Sequence, residues 1–248
     1  MKIVAIDSLL LSVPTPPPIS LEFPDHKLVT ATIRTDEGLA GFGYSAVIGG
    51  AGAEAVQAYL RTRLVPLLLG EDPLLVERLW QRMYWADRGI RRVGIAAYAV
   101  AALDIGLWDL VGKAAGLPLY KLWGAVTDRV PVYGSGGWPK YSVEELIAEG
   151  ERYVAMGCRY YKMKIHHADP RVNRQRVEAV RRALGDGVGL MVDANQRLDV
   201  PGAITAAGLN KQLGKAVKPI DVNTDILAGL EQTKRLNFMK QWKEALKR

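Results

Sequence analysis

Between Val130 and Pro201 one pattern recurs three times: a short apolar run, then a longer amphipathic stretch. Val130 to Ser135, Arg159 to Ile165 and Gly189 to Asp193 read as strands. The first is followed by Ser142-Val143-Glu144-Glu145, a capping box that opens a helix to Met156. The second is followed by a helical pattern over Pro170 to Leu184, and the third by a helix opened at Pro201. Strands alternating with helices of this length indicate right-handed βαβ units and a parallel sheet. No other feature narrows the fold as much, because a parallel pair needs a crossover and cover on both faces.

The preceding residues follow a different logic. Lys2 to Val13 is an apolar, strand-like run stopped by Pro14-Thr15-Pro16-Pro17-Pro18, since proline cannot donate to a ladder. Lys27 to Thr35 alternates with the strand period, Asp36-Glu37-Gly38 supplies a turn, and Leu39 to Ala46 returns. Helical patterns follow over Glu54 to Leu69, Pro73 to Trp85 and Arg91 to Ala115, the last closed by Gly116. The expected organisation is an α+β domain over residues 1–125, three βα units over 126–208, and a basic tail over 209–248 with a helix from Thr224 to Arg248. Gly94 to Leu117 is apolar enough to suggest a membrane span. It carries Asp104, Asp109 and Lys113, each costly in hydrocarbon, so it reads as a buried helix and no membrane is expected as a partner. The N-terminus lacks a signal-peptide pattern, and the single cysteine, Cys158, excludes an internal disulfide framework or a Cys-rich zinc site. A cytoplasmic location is the expectation.

The net charge of +7 invites a nucleic-acid reading. Residues 201–248 hold nine Lys/Arg against four Asp/Glu, whereas residues 1–200 hold 24 against 22. The basic excess therefore belongs to the tail, spread along one helical pattern with Glu231 and Glu244 among the lysines. That is the pattern of a solvated helix face, and no nucleic acid is expected.

Two constellations carry chemistry. Lys162-Met163-Lys164 places two ammonium groups on one strand face, with Tyr161, Met163 and Ile165 on the other. Inside a two-sided sheet such a pair requires something anionic to meet it, and crowding of like charges is one way a lysine becomes a usable base. On an edge strand the same spacing is only a solvated lysine face. Asp193-Ala194-Asn195 follows the apolar run Gly189 to Val192. A carboxylate at the C-terminal end of a parallel strand sits where α/β folds place ligands and suits a hard cation, although it equally suits a turn or helix cap. Together, two lysines and a carboxylate on successive strands are parts for removing a proton α to a carboxylate.

The Lys-x-Lys of Tyr161 to Ile165, the run Leu190 to Gln196, and Ala102 to Asp109 with Gly116-Leu117-Pro118-Leu119 resemble the mandelate racemase branch of the enolase superfamily, over about residues 1–205. The resemblance implies an α+β capping domain followed by a (β/α) TIM-type barrel, and Mg²⁺-assisted abstraction of an α-proton from a small carboxylate, a hydroxy acid or acid sugar. By position it implies Lys164 as the base, Lys162 as neutraliser of the substrate carboxylate, Asp193 as the first metal ligand, and Asn195 and Ser135 as substrate contacts. Two loops of the capping domain match Pro14 to His26 and Val47 to Gly52, with His26 placed to touch substrate. In the family the next two strands each end in a metal-binding glutamate. A full barrel takes roughly 200 residues or more, 119 follow Arg129, and after about Ala206 no further unit is recognised. The expectation is thus an incomplete barrel, with Asp221 standing 28 residues after Asp193 as either a second ligand or a turn aspartate. The alternative expectation is a catalytically inactive remnant. An incomplete barrel also leaves strand edges that favour a homo-oligomer.

Overall fold

The structure is a computed structural model describing residues 1–17, 24–90, 93–165, 167 and 169–207, without the side chains of residues 204, 205 and 207. The chain divides between Asp128 and Arg129 into two compact units.

The first unit is a four-stranded antiparallel sheet packed on helices. β3 (Asp25–Thr35) is its spine. β4 (Ala40–Val47) pairs along one edge, and β1 (Ile3–Asp7) and β2 (Leu10–Pro14) share the other. The single strand expected over Lys2 to Val13 is therefore two. The break falls at Ser8 and Leu9, where the Thr30 hydroxyl accepts the Leu9 N–H at 3.1 Å in place of a ladder bond. His26, expected in a loop, lies in the β2–β3 ladder opposite Val13. The ladder extends that far because polar pairing holds its end: Ser12 donates to Asp25, and Lys27 pairs with Asp25 at 3.1 Å.

α1 (Ala53–Tyr59) runs through a π-helical turn, Leu60–Leu64, into α2 (Val65–Leu68). A continuous helix was expected there. Pro66 has no N–H for the Thr62 carbonyl, and the wider turn accommodates that missing bond. α3 (Val76–Tyr84) and α4 (Gly94–Ala115) follow, α4 ending at Gly116 in the left-handed conformation. α4 is long and apolar enough to cross a membrane. In this unit it is the central core helix, with Ala99, Ala102, Leu103, Leu107 and Leu110 buried against Val29, Ala31 and Ile33 of the sheet. Gly41 and Gly43 let β4 lie directly on α4: a Cβ at Gly43 would collide with the Ala102 carbonyl oxygen, and one at Gly41 with that of Gly106. A short turn of helix, α5 (Leu119–Leu122), ends this unit.

The second unit is a parallel sheet in the order β5 (Gly134–Ser135), β6 (Tyr160–Lys164), β7 (Gly189–Asp193). The crossovers are α6 (Val143–Ala155) and α7 (Pro170–Leu184), and α8 (Val200–Ala207) follows β7. The capping box at Ser142 and Glu145 is formed in both directions. β5 is shorter than the run Val130 to Ser135 suggested, because only Gly134 and Ser135 pair with β6. Leu146, Tyr161, Met163, Val177, Val180 and Leu190 form a separate core.

Candidate active site

The strand period sorts β6 into two faces. Tyr161 and Met163 are fully buried in the core with Leu146 of α6 and Val177 and Val180 of α7. Lys162 and Lys164 occupy the opposite face. In the parallel register Lys162 stands beside Met191 and Lys164 beside Asp193, so the carboxylate shares the lysines' face, and Ser135 of β5 is paired with Lys162.

The three charged groups meet at one atom. Lys162 Nζ and Lys164 Nζ each lie 3.3 Å from Asp193 Oδ2, with side chains only 19% and 10% exposed against 30% for Asp193. At that burial two unpaired ammonium groups would be strongly disfavoured, and the shared carboxylate offsets them. Burial by itself would raise the Asp193 pKa. The Asn195 backbone N–H, together with the Lys164 and Lys162 charges, more than reverses this and holds the carboxyl below the ordinary aspartate value. Aromatic rings flank the cations, Tyr133 at 5.2 Å from Lys162 Nζ and Trp138 at 5.5 Å from Lys164 Nζ.

The turn reading of Asp193 is realised, and the same carboxylate also pairs with the lysines. Oδ2 receives the lysines, while Oδ1 accepts the Asn195 N–H at 2.8 Å and shapes the turn after β7. Asn195 sits in that turn with φ 48 and an exposed side chain. Ser135 is exposed at the end of β5, and its carbonyl accepts the Tyr153 hydroxyl at 3.1 Å. His26 belongs to the first unit. Asp221, His166 and the helix expected over Thr224 to Arg248 lie outside the described residues.

A supporting set went unread in the sequence. Glu149 is buried, and its Oε2 accepts the Gly137 N–H at 2.6 Å and the Tyr161 hydroxyl at 2.7 Å. Burial first, then this carboxylate, push the Tyr161 hydroxyl's pKa far up, so it stays a donor. Gly136 and Gly137 are tied beside β6, with Gly136 N–H donating to the Lys162 carbonyl and Lys164 N–H to the Gly137 carbonyl, both at 3.0 Å. Arg176 donates to the Trp138 and Tyr141 carbonyls. Asn173 holds His167 by both backbone groups, at 3.0 and 3.1 Å. The polar core positions of α6 and α7 thus fasten the segments that follow β5 and β6. The available signal was a charged residue at a core-facing helix position, Glu149 in step with Leu146 and Gly150, and Arg176 beside Val177.

For a hard divalent cation, Asp193 offers the right donor chemistry, an anionic oxygen at the C-terminal end of a parallel strand. Among the described residues no group of three His, Cys, Asp or Glu side chains converges. The fit is therefore to one ligand of a Mg²⁺ site, the remaining oxygens coming from water, substrate or residues outside the described set.

Comparison with known proteins gives concordant matches. Residues 8–124 match the family model for the mandelate racemase / muconate lactonizing enzyme N-terminal domain. Residues 145–217 match the enolase C-terminal domain-like model, about a dozen residues further than the motifs alone reached. A 3,6-anhydro-alpha-L-galactonate cycloisomerase of Streptomyces coelicolor is 39% identical over 199 residues, covering 80% of this chain and 53% of the relative. The crystal structure of a racemase from Streptomyces coelicolor A3(2) with bound magnesium superposes with a TM-score of 0.80 at 36% identity, covering 85% of this chain and 60% of that one. An L-talarate dehydratase from Polaromonas sp. JS666, complexed with Mg and L-glucarate, gives 0.76 at 33% identity, covering 84% and 56%. The chain spans about half the length of the curated relatives it matches.

Proposed function

Because the chain belongs to the mandelate racemase/muconate lactonizing enzyme branch of the enolase superfamily, we propose that Lys162, Lys164 and Asp193 serve the removal of a proton α to a carboxylate. The carrying observation is the convergence of both ammonium nitrogens on one carboxylate oxygen at the C-terminal ends of β6 and β7. The substrate class is a small hydroxy acid or acid sugar. The L-glucarate complexed with the talarate dehydratase and the anhydrogalactonate named for the cycloisomerase support that class.

Lys164 is the base: in its neutral amine form its Nζ lone pair accepts the α-proton, giving the ammonium that Asp193 then pairs with. It is the more buried of the pair, and its nearest aromatic cover is Trp138, which limits water at that nitrogen. Lys162, beside Ser135 and nearer solvent, meets the substrate carboxylate as an ammonium. Asp193 pairs with both lysines and would supply one oxygen to Mg²⁺. When bound, Mg²⁺ offsets the negative charge that develops on the substrate carboxylate as the proton leaves. The ensuing step, racemisation, dehydration or cycloisomerisation, depends on groups beyond the described residues.

The test is exchange of the α-hydrogen with solvent deuterium, followed by NMR over a panel of acid sugars with Mg²⁺ present. Calorimetric Mg²⁺ titration of the chain and of Asp193→Asn runs alongside it. The expected result is saturable Mg²⁺ binding weakened in Asp193→Asn, and exchange abolished in Lys164→Ala. Exchange that survives Lys164→Ala would remove the assignment of the base. Absence of both binding and exchange would make the chain a folded, non-catalytic member of its family.

A further inference from the structure

The first unit contains a solvent-open cleft of about 250 Å³ lined by α1, α3 and α4. Ala97 and Val100 of α4 leave the space open, and Trp80 and Tyr84 of α3 line it, their rings stacked with centroids 4.7 Å apart. Asp104 is the one charged residue on this lining. Its carboxylate is half-buried, and among the described residues it has neither a cation nor a hydrogen-bond donor. Among the described residues the charged neighbour acting on it is Glu77, of the same sign. The contrast with Asp87 nearby is instructive: that carboxylate takes the Tyr59 hydroxyl and Arg63 Nε, each at 2.9 Å.

A half-buried carboxylate beside apolar side chains and another negative charge is weakly solvated and favours a cation beside it. Aromatic faces in the same cavity add attraction for positive charge. An apolar, aromatic pocket with one oriented charged group has the general form of a small-molecule site.

We propose that this cavity binds a small organic cation, a primary ammonium on a flat apolar body, with its charge against Asp104 and its body against Trp80 and Tyr84. The site is distinct from the lysine cluster of the second unit, and its occupant is opposite in charge to a carboxylate substrate.

The test uses the full chain and phenethylammonium chloride as probe, followed by calorimetry and by tryptophan fluorescence. The uncharged isostere 2-phenylethanol and the anion phenylacetate, at matched ionic strength, are the controls. The expected result is saturable binding of the ammonium, at least tenfold weaker binding of the alcohol, and none of phenylacetate. Asp104→Asn, checked for an unchanged circular dichroism spectrum, should bind the ammonium at least tenfold more weakly. Since the chain has six tryptophans, Trp80→Phe assigns the optical signal: it should lose most of the fluorescence change while calorimetry still detects binding. No saturable response would overturn the proposal. Equal binding of 2-phenylethanol, or an Asp104→Asn variant that binds as before, would overturn it as well.

Discussion

Asp104 costs the folded state something at neutral pH. Burial, reinforced by Glu77, raises its pKa above the ordinary aspartate value. A group whose folded pKa exceeds its unfolded one binds more protons in the native state. Stability therefore falls as pH rises through the interval between the two values, and the deficit persists above it. Asp104→Asn removes the charge at nearly constant shape. It should raise the free energy of unfolding at pH 7, visible as a higher melting temperature, and the advantage should shrink as pH falls toward the ordinary aspartate value of about 4. Thermal melts of both proteins at the two pH values check this. A variant less stable than the parent at pH 7 would show that the carboxylate stabilises the fold. A residue retained against stability is what a binding site requires, so the melt and the ammonium titration address one side chain from two directions.

Elements in this chain are fixed where local chemistry and packing agree. The Ser142–Glu145 box opens α6, and Pro170 after the Asp169 cap opens α7. Gly189 to Asp193 is a strand with the bounds its apolar run suggests. These were legible because each signal is complete within a few residues. The break between β1 and β2 was not, since it depends on Thr30, 21 residues away, supplying its hydroxyl to Leu9. Nor was the π-turn, because an apolar period continues through Pro66 while the backbone bonding does not. The Lys162, Lys164 and Asp193 site was legible as spacing. Its shared oxygen and its support by Glu149, Arg176 and Asn173 need the register of β6 on β7 and the docking of α6 and α7. The contact of β4 with α4 is another long-range feature, and it is exacting. A methyl at Gly43 meets backbone, the Ala102 carbonyl and the Gly106 nitrogen, which cannot swing away as a side chain would. Gly43→Ala should cost about 3 kcal/mol, whereas Gly38→Ala, with open space around it but φ +84, should cost only about 1 kcal/mol through backbone strain. Urea denaturation ranks the two, and the reverse order would mean that β4 and α4 are spaced more widely than described.

At the scale of the whole chain, two cores hold the described residues, and they share no buried side chain. One is organised by α4 on an antiparallel sheet, the other by α6 and α7 on a parallel one. The proposed chemistry belongs wholly to the second, and the Asp104 cavity wholly to the first. Leu103→Ala and Leu146→Ala each remove a fully buried leucine, one from each core. Each should destabilise its own unit by about 2–5 kcal/mol. Because the two cores share no buried side chain among the described residues, the double mutant should lose the sum to within about 0.5 kcal/mol. Hydrogen exchange read by mass spectrometry gives the local view. In Leu146→Ala, protection should fall in α6, β6 and α7 while the amides of α4 keep theirs, since opening is governed by the contacts each segment makes. Loss of α4 protection in step with α6 would show that the two units open as a single cooperative body. The lysine cluster and the Asp104 cavity would then be linked through stability, and a cation bound at one would raise protection at the other by mass action alone.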